Sequence, residues 1–276
     1  MGTLYICATP IGNLEDVSIR LLKTLRKVDI IACEDTRHTL KLLNRYKIKN
    51  HLVSYHQHSN RGREDYLLQE LQNGHDVALV SDAGTPLISD PGQGLIKRAI
   101  ELDIKMEVIP GPSALISALA LSGMDSSTFI FTGFLPNRAA KRRTALEELK
   151  EQDRTIILYE APHRLLDTLA DIADIMGSTR SVAVARELTK KHEEIRRDSA
   201  GEMLRYYNNN PPRGEICVLI GPAEKIKEEV SLETIGEEIE KLIQAGIDKK
   251  EAFKMKAREY KINKSTIYKY FVEKNR

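Results

Sequence analysis

Over its first 110 residues the chain repeats one pattern. A short, unbroken apolar run is followed by a polar break, then by a stretch whose apolar residues recur every three or four positions. The apolar runs lie at residues 4–8, 29–33, 52–54, 77–80 and 105–109. Helical spacing follows at 18–27, where Ile19, Leu21, Leu22 and Leu25 recur and Asp16 or Ser18 can cap, and again at 36–46 and 61–72, with a further helix between 80 and 105. The runs do not alternate apolar with polar. That predicts parallel strands covered on both faces, and so a doubly wound α/β domain over residues 1–123.

From residue 127 the rhythm changes. Residues 128–134 are rich in aromatic and β-branched side chains, and the polar segment 136–143 opens a helix. Strand-like runs recur at 155–159, 181–185, 193–197 and 215–220, the last two expected to be antiparallel neighbours. This predicts a second, mixed α/β domain over 124–224. Beyond Pro222 only helical patterns remain, at 231–245, after Asp248, whose D-K-K-E resembles a capping box, and from Asn263. The turn at 259–263 has helix-turn-helix proportions, so residues 225–276 are expected to form a small helical extension.

With 276 residues, 41% apolar and 30% charged, the chain has the composition of a soluble globular protein. Its net charge of +2 does not announce a nucleic-acid partner, so local clusters must carry any such reading. No apolar run approaches the roughly 20 residues that span a bilayer, and the first five residues are not a signal peptide. A cytoplasmic protein without membrane contact is the expectation. Cys7, Cys33 and Cys217 each sit in a strand-like run and are expected as buried core thiols. His56-Gln57-His58 has no carboxylate or cysteine at ligand spacing, and no metal site is expected.

Chemistry concentrates where strands end. Three loops are dense in glycine and proline: TPIGN after the first run, SDAGTPLISDPG from Ser81, and PGPSA from Pro110. Ligands in open α/β sheets bind beyond the carboxyl ends of strands. Glycine lets backbone approach a ligand, and proline holds a loop without needing hydrogen-bond partners. Asp82 can accept hydrogen bonds or balance a positive charge, and Ser113 stands where its hydroxyl would cap a helix. A phosphate loop is excluded by the missing Gly-Lys-Ser/Thr ending, and a dinucleotide fingerprint by the missing third glycine.

These loops, with ACEDTRHT from Ala32, FTGFLP from Phe131, YEAPHRL from Tyr159, ARELTKKHEE from Ala185 and GEICVLI from Gly214, resemble the tetrapyrrole methylase superfamily, specifically its branch acting on small-subunit ribosomal RNA. The resemblance implies S-adenosyl-L-methionine bound between two α/β domains. Cofactor positions would fall on Pro10, Asp82, Gly84, Thr85, Ser113, Ala114 and Tyr159. It further implies transfer to the ribose 2′-hydroxyl of a cytidine in 16S rRNA, and a homodimer.

Two charged clusters border the same cleft, residues 34–38 and 186–194. Arg37 and Lys190 could grip phosphates and ease loss of a proton from a ribose hydroxyl, with Asp35, His38, Lys190 and Glu193 as conceivable bases. Equally, the residues could form salt bridges, Glu34 or Asp35 with Arg37 and Arg186 with Glu187. Arg138, Lys141, Arg142 and Arg143 form a candidate phosphate rail, as do the lysines of the C-terminal helices. Two rival functions stay open at this stage. One is a methyltransferase of a tetrapyrrole, for which the basic clusters have no use; the other is a non-enzymatic nucleic-acid-binding regulator, which needs no deprotonating group.

Overall fold

The computed structural model describes residues 1–56, 61–223, 232–260 and 262–274. The chain divides into two compact units, Met1–Ala223 and Glu224–Arg276.

The first unit contains two five-stranded sheets. Strands β1 (Thr3–Cys7), β2 (Ile30–Cys33), β3 (His51–Ser54), β4 (Val77–Val80) and β5 (Lys105–Ile109) are all parallel, in the order β3-β2-β4-β1-β5. Successive side chains point to opposite faces, and both faces are covered, which is why the strands read as unbroken apolar runs. Val77 and Leu79 pack under α3 (Arg61–Gln72) and α4 (Gln93–Glu101). Ala78 and Val80 face α1 (Ile19–Lys27) and α2 (Thr36–Arg45) on the other side. Ser18, not Asp16, caps α1, its side chain accepting the Leu21 N–H.

Strands β6 (Phe129–Phe134), β7 (Thr155–Glu160), β8 (Ser181–Arg186), β9 (Glu194–Ser199) and β10 (Ile216–Ile220) form the second sheet, in the order β6-β7-β10-β8-β9. Only β6 and β7 run parallel. The expected pairing of β9 with β10 does not occur: β8 lies between them, antiparallel to both. The residues explain this. Strand β10, ICVLI, is buried at all five positions and belongs in the sheet's centre. Strand β9, EIRRDS, has no fully buried position and belongs at an edge, where the short turn from β8 places it.

Helices α6 (Ala139–Leu149), α7 (Leu165–Met176) and α8 (Ala200–Asn209) cover one face of this sheet. The other face is covered by α5 (Ala114–Ser122), which follows β5 in the chain yet buries Leu115, Ala118 and Leu119 against Ile157, Ala183, Cys217 and Leu219. Arg197 of β9 fastens its end, donating to the carbonyls of Ser122 and Leu121. The two sheets are thereby packed into one unit by a helix of the first half, with Ile11 and Leu188 completing the shared apolar cluster.

The C-terminal unit is three helices, α9 (Leu232–Gln244), α10 (Lys249–Glu259) and α11 (Lys264–Lys274), around Ile235, Ile239, Ala252, Phe253 and Ile267. Asp248 caps α10, accepting the N–H groups of Lys250 and Glu251. Ser231, in the expected first helix, and Lys261, in the expected turn, lie outside the described residues.

All three cysteines are buried, and burial pushes the Cys7 and Cys217 thiols up to about 12. Gln57 and His58 of the histidine pair lie outside the described residues; among those described, no group of His, Cys, Asp and Glu is placed to hold a metal ion. No described helix is long and apolar enough to cross a membrane.

Candidate active site

Because β1 lies between β4 and β5, and all three run parallel, the punctuated loops that follow them emerge side by side. Backbone stitches them together. Thr9 N–H donates to Gly84 O at 2.8 Å, and Gly84 N–H returns to Thr9 O at 3.0 Å. The Thr85 hydroxyl donates to Pro112 O at 3.3 Å, joining the second loop to the third. Gly84 has φ +78°, the left-handed region that disfavours any side chain, and so keeps the wall of the loop flat.

Beyond these loops lies a pocket of about 350 Å³ between the two sheets. The first half of the unit supplies Ile11, Gly84, Thr85, Ser113 and Ala114, and the second supplies Tyr159, Ala185, Leu188 and Cys217. Burial pushes the Tyr159 phenol up to about 12. Its ring meets that of Phe131 edge-on, with centroids 5.1 Å apart, and tilts toward Phe134, a further wall residue, at 5.7 Å.

Five of the seven expected cofactor positions, Gly84, Thr85, Ser113, Ala114 and Tyr159, therefore share one pocket. The other two stand behind it. Pro10 is buried, and the Asp82 carboxylate accepts the Asp35 N–H at 3.0 Å, tying the loop after β4 to the start of α2. Ser113 occupies the N-cap position of α5, but its hydroxyl makes no capping bond, contrary to expectation. Its carbonyl accepts the Ser117 hydroxyl at 2.9 Å, and Ser113 is itself a residue of the pocket wall. Sequence reasoning missed Ile88, Ser89 and Asp90, the second half of SDAGTPLISDPG, along with Phe134 and residues 214–217. The available signal was the run itself, whose Ser-Asp-Pro-Gly repeats the turn chemistry of the earlier Ser-Asp-Ala-Gly.

The expected catalytic residues are not on the pocket wall. Asp35 caps α2 and holds the Arg37 guanidinium through both carboxylate oxygens, at 3.1 and 2.8 Å. The hydrogen bonds from Arg37 side chain and backbone lower its pKa to about 2, which makes it a weak base. Arg37 is 87% exposed, and His38 is exposed beside it. Burial pulls the Lys190 ammonium down, but Glu187 at 2.8 Å and Glu215 at 3.0 Å outweigh it and the net shift is upward. Lys190 is therefore held as a cation. Glu193 accepts the Thr189 N–H at 2.5 Å. The expected salt bridge of Asp35 with Arg37 is present, whereas Arg186 pairs with Glu194 and not with Glu187.

The two charged clusters nevertheless reach the pocket's edges. Asp35 touches the loop after β4 through Asp82, and Lys190 binds Glu215, a wall residue. Gly12, in the loop after β1, packs so closely on the second cluster that a Cβ there would stand 2.4 Å from Lys190 Cγ and 2.8 Å from Leu188 O.

The basic rail is half of what the sequence predicts. Arg142 is buried and donates to Asp171 at 2.7 Å; Arg143 binds Asp171 at 2.8 Å and Asp174 at 2.5 Å. Lys141, Arg142 and Arg143 are consecutive on α6 and cannot share a face, and the turn of the helix sends Arg142 inward. Arg138 and Lys141 stay exposed.

The tetrapyrrole (corrin/porphyrin) methylase family model matches residues 3–204. The protein called ribosomal RNA small subunit methyltransferase I in Synechocystis sp. is 45% identical over 274 residues, 99% of this chain and 98% of that protein. The protein of the same name in Thermotoga maritima is 49% identical over 224 residues, which cover 81% of this chain and 100% of that protein. Among solved structures, a cobalt precorrin-4 methyltransferase of cobalamin biosynthesis aligns with a TM-score of 0.61 at 18% identity, over 79% of this chain and 94% of that one. A uroporphyrin-III C-methyltransferase from Thermus thermophilus, complexed with S-adenosylhomocysteine, aligns with a TM-score of 0.58 at 13% identity, over 82% and 100%. The structural likenesses establish a common fold, and the family model spans residues 3–204, most of the chain: this chain belongs to the tetrapyrrole methylase family.

Proposed function

We propose that the methyl acceptor of this S-adenosyl-L-methionine-dependent methyltransferase is the ribose 2′-hydroxyl of a cytidine in 16S ribosomal RNA. The observation that carries the reading is near full-length identity, 45%, to a protein named for small-subunit ribosomal RNA methylation. The exposed cations of the protein suit such a substrate. Arg37, Arg138 and Lys141 are exposed cations able to hold phosphates, and a single flexible nucleotide is the form in which an RNA-binding protein reads sequence.

The pocket fits the cofactor. Its wall is largely apolar, with the Thr85 and Ser113 hydroxyls among the polar groups, and the left-handed Gly84 leaves a cradle that a side chain would fill. Asp90 and Glu215 add carboxyl groups to the wall, which favour a cationic ligand. The bound cofactor supplies an electrophilic methyl group on a positively charged sulfur. The protein's own part is alignment, exclusion of water and removal of one proton. Gly84, Thr85, Ser113 and Ala114 would hold the donor, while Tyr159 and Phe134 keep its surroundings dry.

A cytoplasmic homodimer completes the reading. Val108 on the edge strand β5, and Ile116 and Leu121 on α5, are apolar side chains exposed in the single chain, which supports a self-association surface there. Light scattering tests it, with one chain mass expected from a variant carrying charges at these three positions and two from the wild type.

Transfer of radiolabel from S-adenosylmethionine to small subunits and to naked 16S rRNA, both from cells lacking this protein, tests the substrate. Label confined to one ribose 2′-oxygen is the expected result, and cofactor binding without label on either RNA overturns it. Charge reversal of the exposed rail, Arg138→Glu with Lys141→Glu, should weaken RNA binding and flatten the slope of log affinity against log salt by about 1–2, since each lost phosphate contact removes roughly 0.7–0.9 from it. Filter binding across a salt series measures this, and cofactor affinity should not change.

A further inference from the structure

The C-terminal unit carries a pattern of charge that its own packing does not explain. Its core is closed around Ile235, Ile239, Ala252, Phe253 and Ile267, and outside that core charge is sorted by helix. Helix α9 exposes Glu233, Glu237 and Glu240, with Lys241 following. Helices α10 and α11 expose Lys249, Lys250, Lys254, Arg258, Lys264 and Lys269, against the carboxylates of Glu251 and Glu259.

One lysine of α10 is structural, and it sets off the others. Lys256 is 14% exposed and binds Glu238 at 2.8 Å and Glu259 at 2.9 Å; those two bonds raise its pKa. The Tyr260 hydroxyl donates to the same Glu238 at 2.7 Å, which pins the turn before α11 to α9. Lys250, Lys254 and Arg258, by contrast, make no ion pair with a described residue. They recur every four residues, so they line one face of α10 at steps of about 6 Å along its axis. Past the turn, α11 exposes the Ser265, Thr266 and Tyr268 side chains between Lys264 and Lys269.

The unit is also separable from the methylase core. The family model ends at residue 204, before the unit begins. The Thermotoga maritima protein is matched over its whole length by 224 residues of this chain, too few to hold both units in full, whereas the Synechocystis protein matches 274.

We propose that the C-terminal unit is an accessory grip for duplex RNA, with α10 and α11 turned to the phosphates and α9 turned away, a role that rests on the RNA acceptor proposed above. Lysine, serine, threonine and tyrosine side chains are groups that contact phosphate and sugar oxygens and fix orientation without reading bases. Duplex RNA is recognised in that way, by its shape, its phosphates and its 2′-hydroxyls. A single strand would instead be held by stacking on free aromatic faces, and the exposed ring of α11, Tyr268, leans on Phe253 with centroids 5.6 Å apart. The unit supplies affinity for a folded RNA and takes no part in the transfer.

The test uses the full chain carrying Lys250→Ala, Lys254→Ala and Arg258→Ala together, exposed positions where alanine keeps the helix. The probe is a labelled RNA duplex of about 20 base pairs, long enough to offer two successive minor grooves. In fluorescence anisotropy across a salt series the variant should bind ~10-fold or more weakly, with the slope of log affinity against log salt flatter by about 2–3 for three lost phosphate contacts. In transfer to 16S rRNA its KM for RNA should rise while kcat and affinity for S-adenosylhomocysteine hold. Exchanging the same positions with charge kept, Lys250→Arg, Lys254→Arg and Arg258→Lys, should retain wild-type affinity and so separates lost charge from a disturbed unit. Equal duplex affinity in the alanine variant and wild type overturns the proposal, as does tighter wild-type binding to a DNA duplex or a single-stranded RNA of the same sequence. A wild type that grips the RNA duplex yet labels no 16S rRNA overturns the ribosomal acceptor instead and leaves the grip standing.

Discussion

Replacing Gly84 with valine is expected to weaken cofactor binding by roughly 100-fold while the protein stays folded. Gly84 stands on the pocket wall at φ +78°, with its N–H and carbonyl both bonded to Thr9. A side chain in this region costs roughly 1–2 kcal/mol, and a β-branched one fares worst. The loop cannot relax to a negative φ without breaking the two-way bridge that joins the loops after β1 and β4. A Cβ at this position meets Ile11 Cγ2 at 3.4 Å, ordinary contact, so valine fits sterically at its base but adds two methyl groups to a cradle that glycine leaves free. We expect affinity for S-adenosylhomocysteine to fall by roughly 100-fold, equivalent to ~2.7 kcal/mol, in calorimetric titration. Alanine, carrying the strain without the bulk, should lose about tenfold. Undiminished affinity in the valine variant would remove this loop from the cofactor site.

Asp171→Ala is the substitution expected to harm the fold most. Its carboxylate binds the buried Arg142 at 2.7 Å and Arg143 at 2.8 Å. The Arg142 side chain is 6% exposed, so removing its partner strands a charge away from water. Breaking such a pair by deleting one member costs about 3–5 kcal/mol. That is a large part of the 5–15 kcal/mol by which a domain is typically stable. Urea denaturation should show it as a fall in midpoint. Replacing both partners, Arg142→Met with Asp171→Leu, should restore much of the loss, because neither variant side chain leaves a buried charge unpaired. RNA affinity in the double variant should match that of wild type, the reverse of what a phosphate rail including Arg142 requires.

The contrast between Gly84 and Arg142 shows what a sequence can and cannot disclose. Loop punctuation is a backbone property written in residue type: glycine, proline, serine and aspartate at a strand end mean a shaped turn whatever surrounds it. The parallel sheet was legible for a related reason, since strands buried on both faces lose alternation. Side-chain destiny depends on partners far along the chain. Arg142 reads as one of four surface cations, and only Asp171, on another helix, makes it a core residue. Asp35 and Lys190 likewise read as chemistry and prove to be committed, to Arg37 in one case and to Glu187 and Glu215 in the other. Asp90 escaped notice because its place on the wall depends on two left-handed residues, Leu87 and Ser89, neither of a type that advertises that conformation. The order of the second sheet was misjudged for a similar reason: the chain places β9 and β10 in succession, but burial decides which of them goes to the middle.

That sheet order also sets a schedule. The first sheet is complete once Ile109 has been made, but the second is not closed until its last strand arrives between β7 and β8. Synthesis proceeds from the N-terminus, so a nascent chain holds two apolar strand edges apart until residues 216–220 emerge. Unpaired edges of this kind invite aggregation and capture by other chains. Ile216 and Cys217 are also pocket wall, so the pocket is incomplete before that strand inserts. A chain that stops upstream of Ile216 therefore keeps both strand edges open and lacks part of the pocket wall, which marks it for proteolysis.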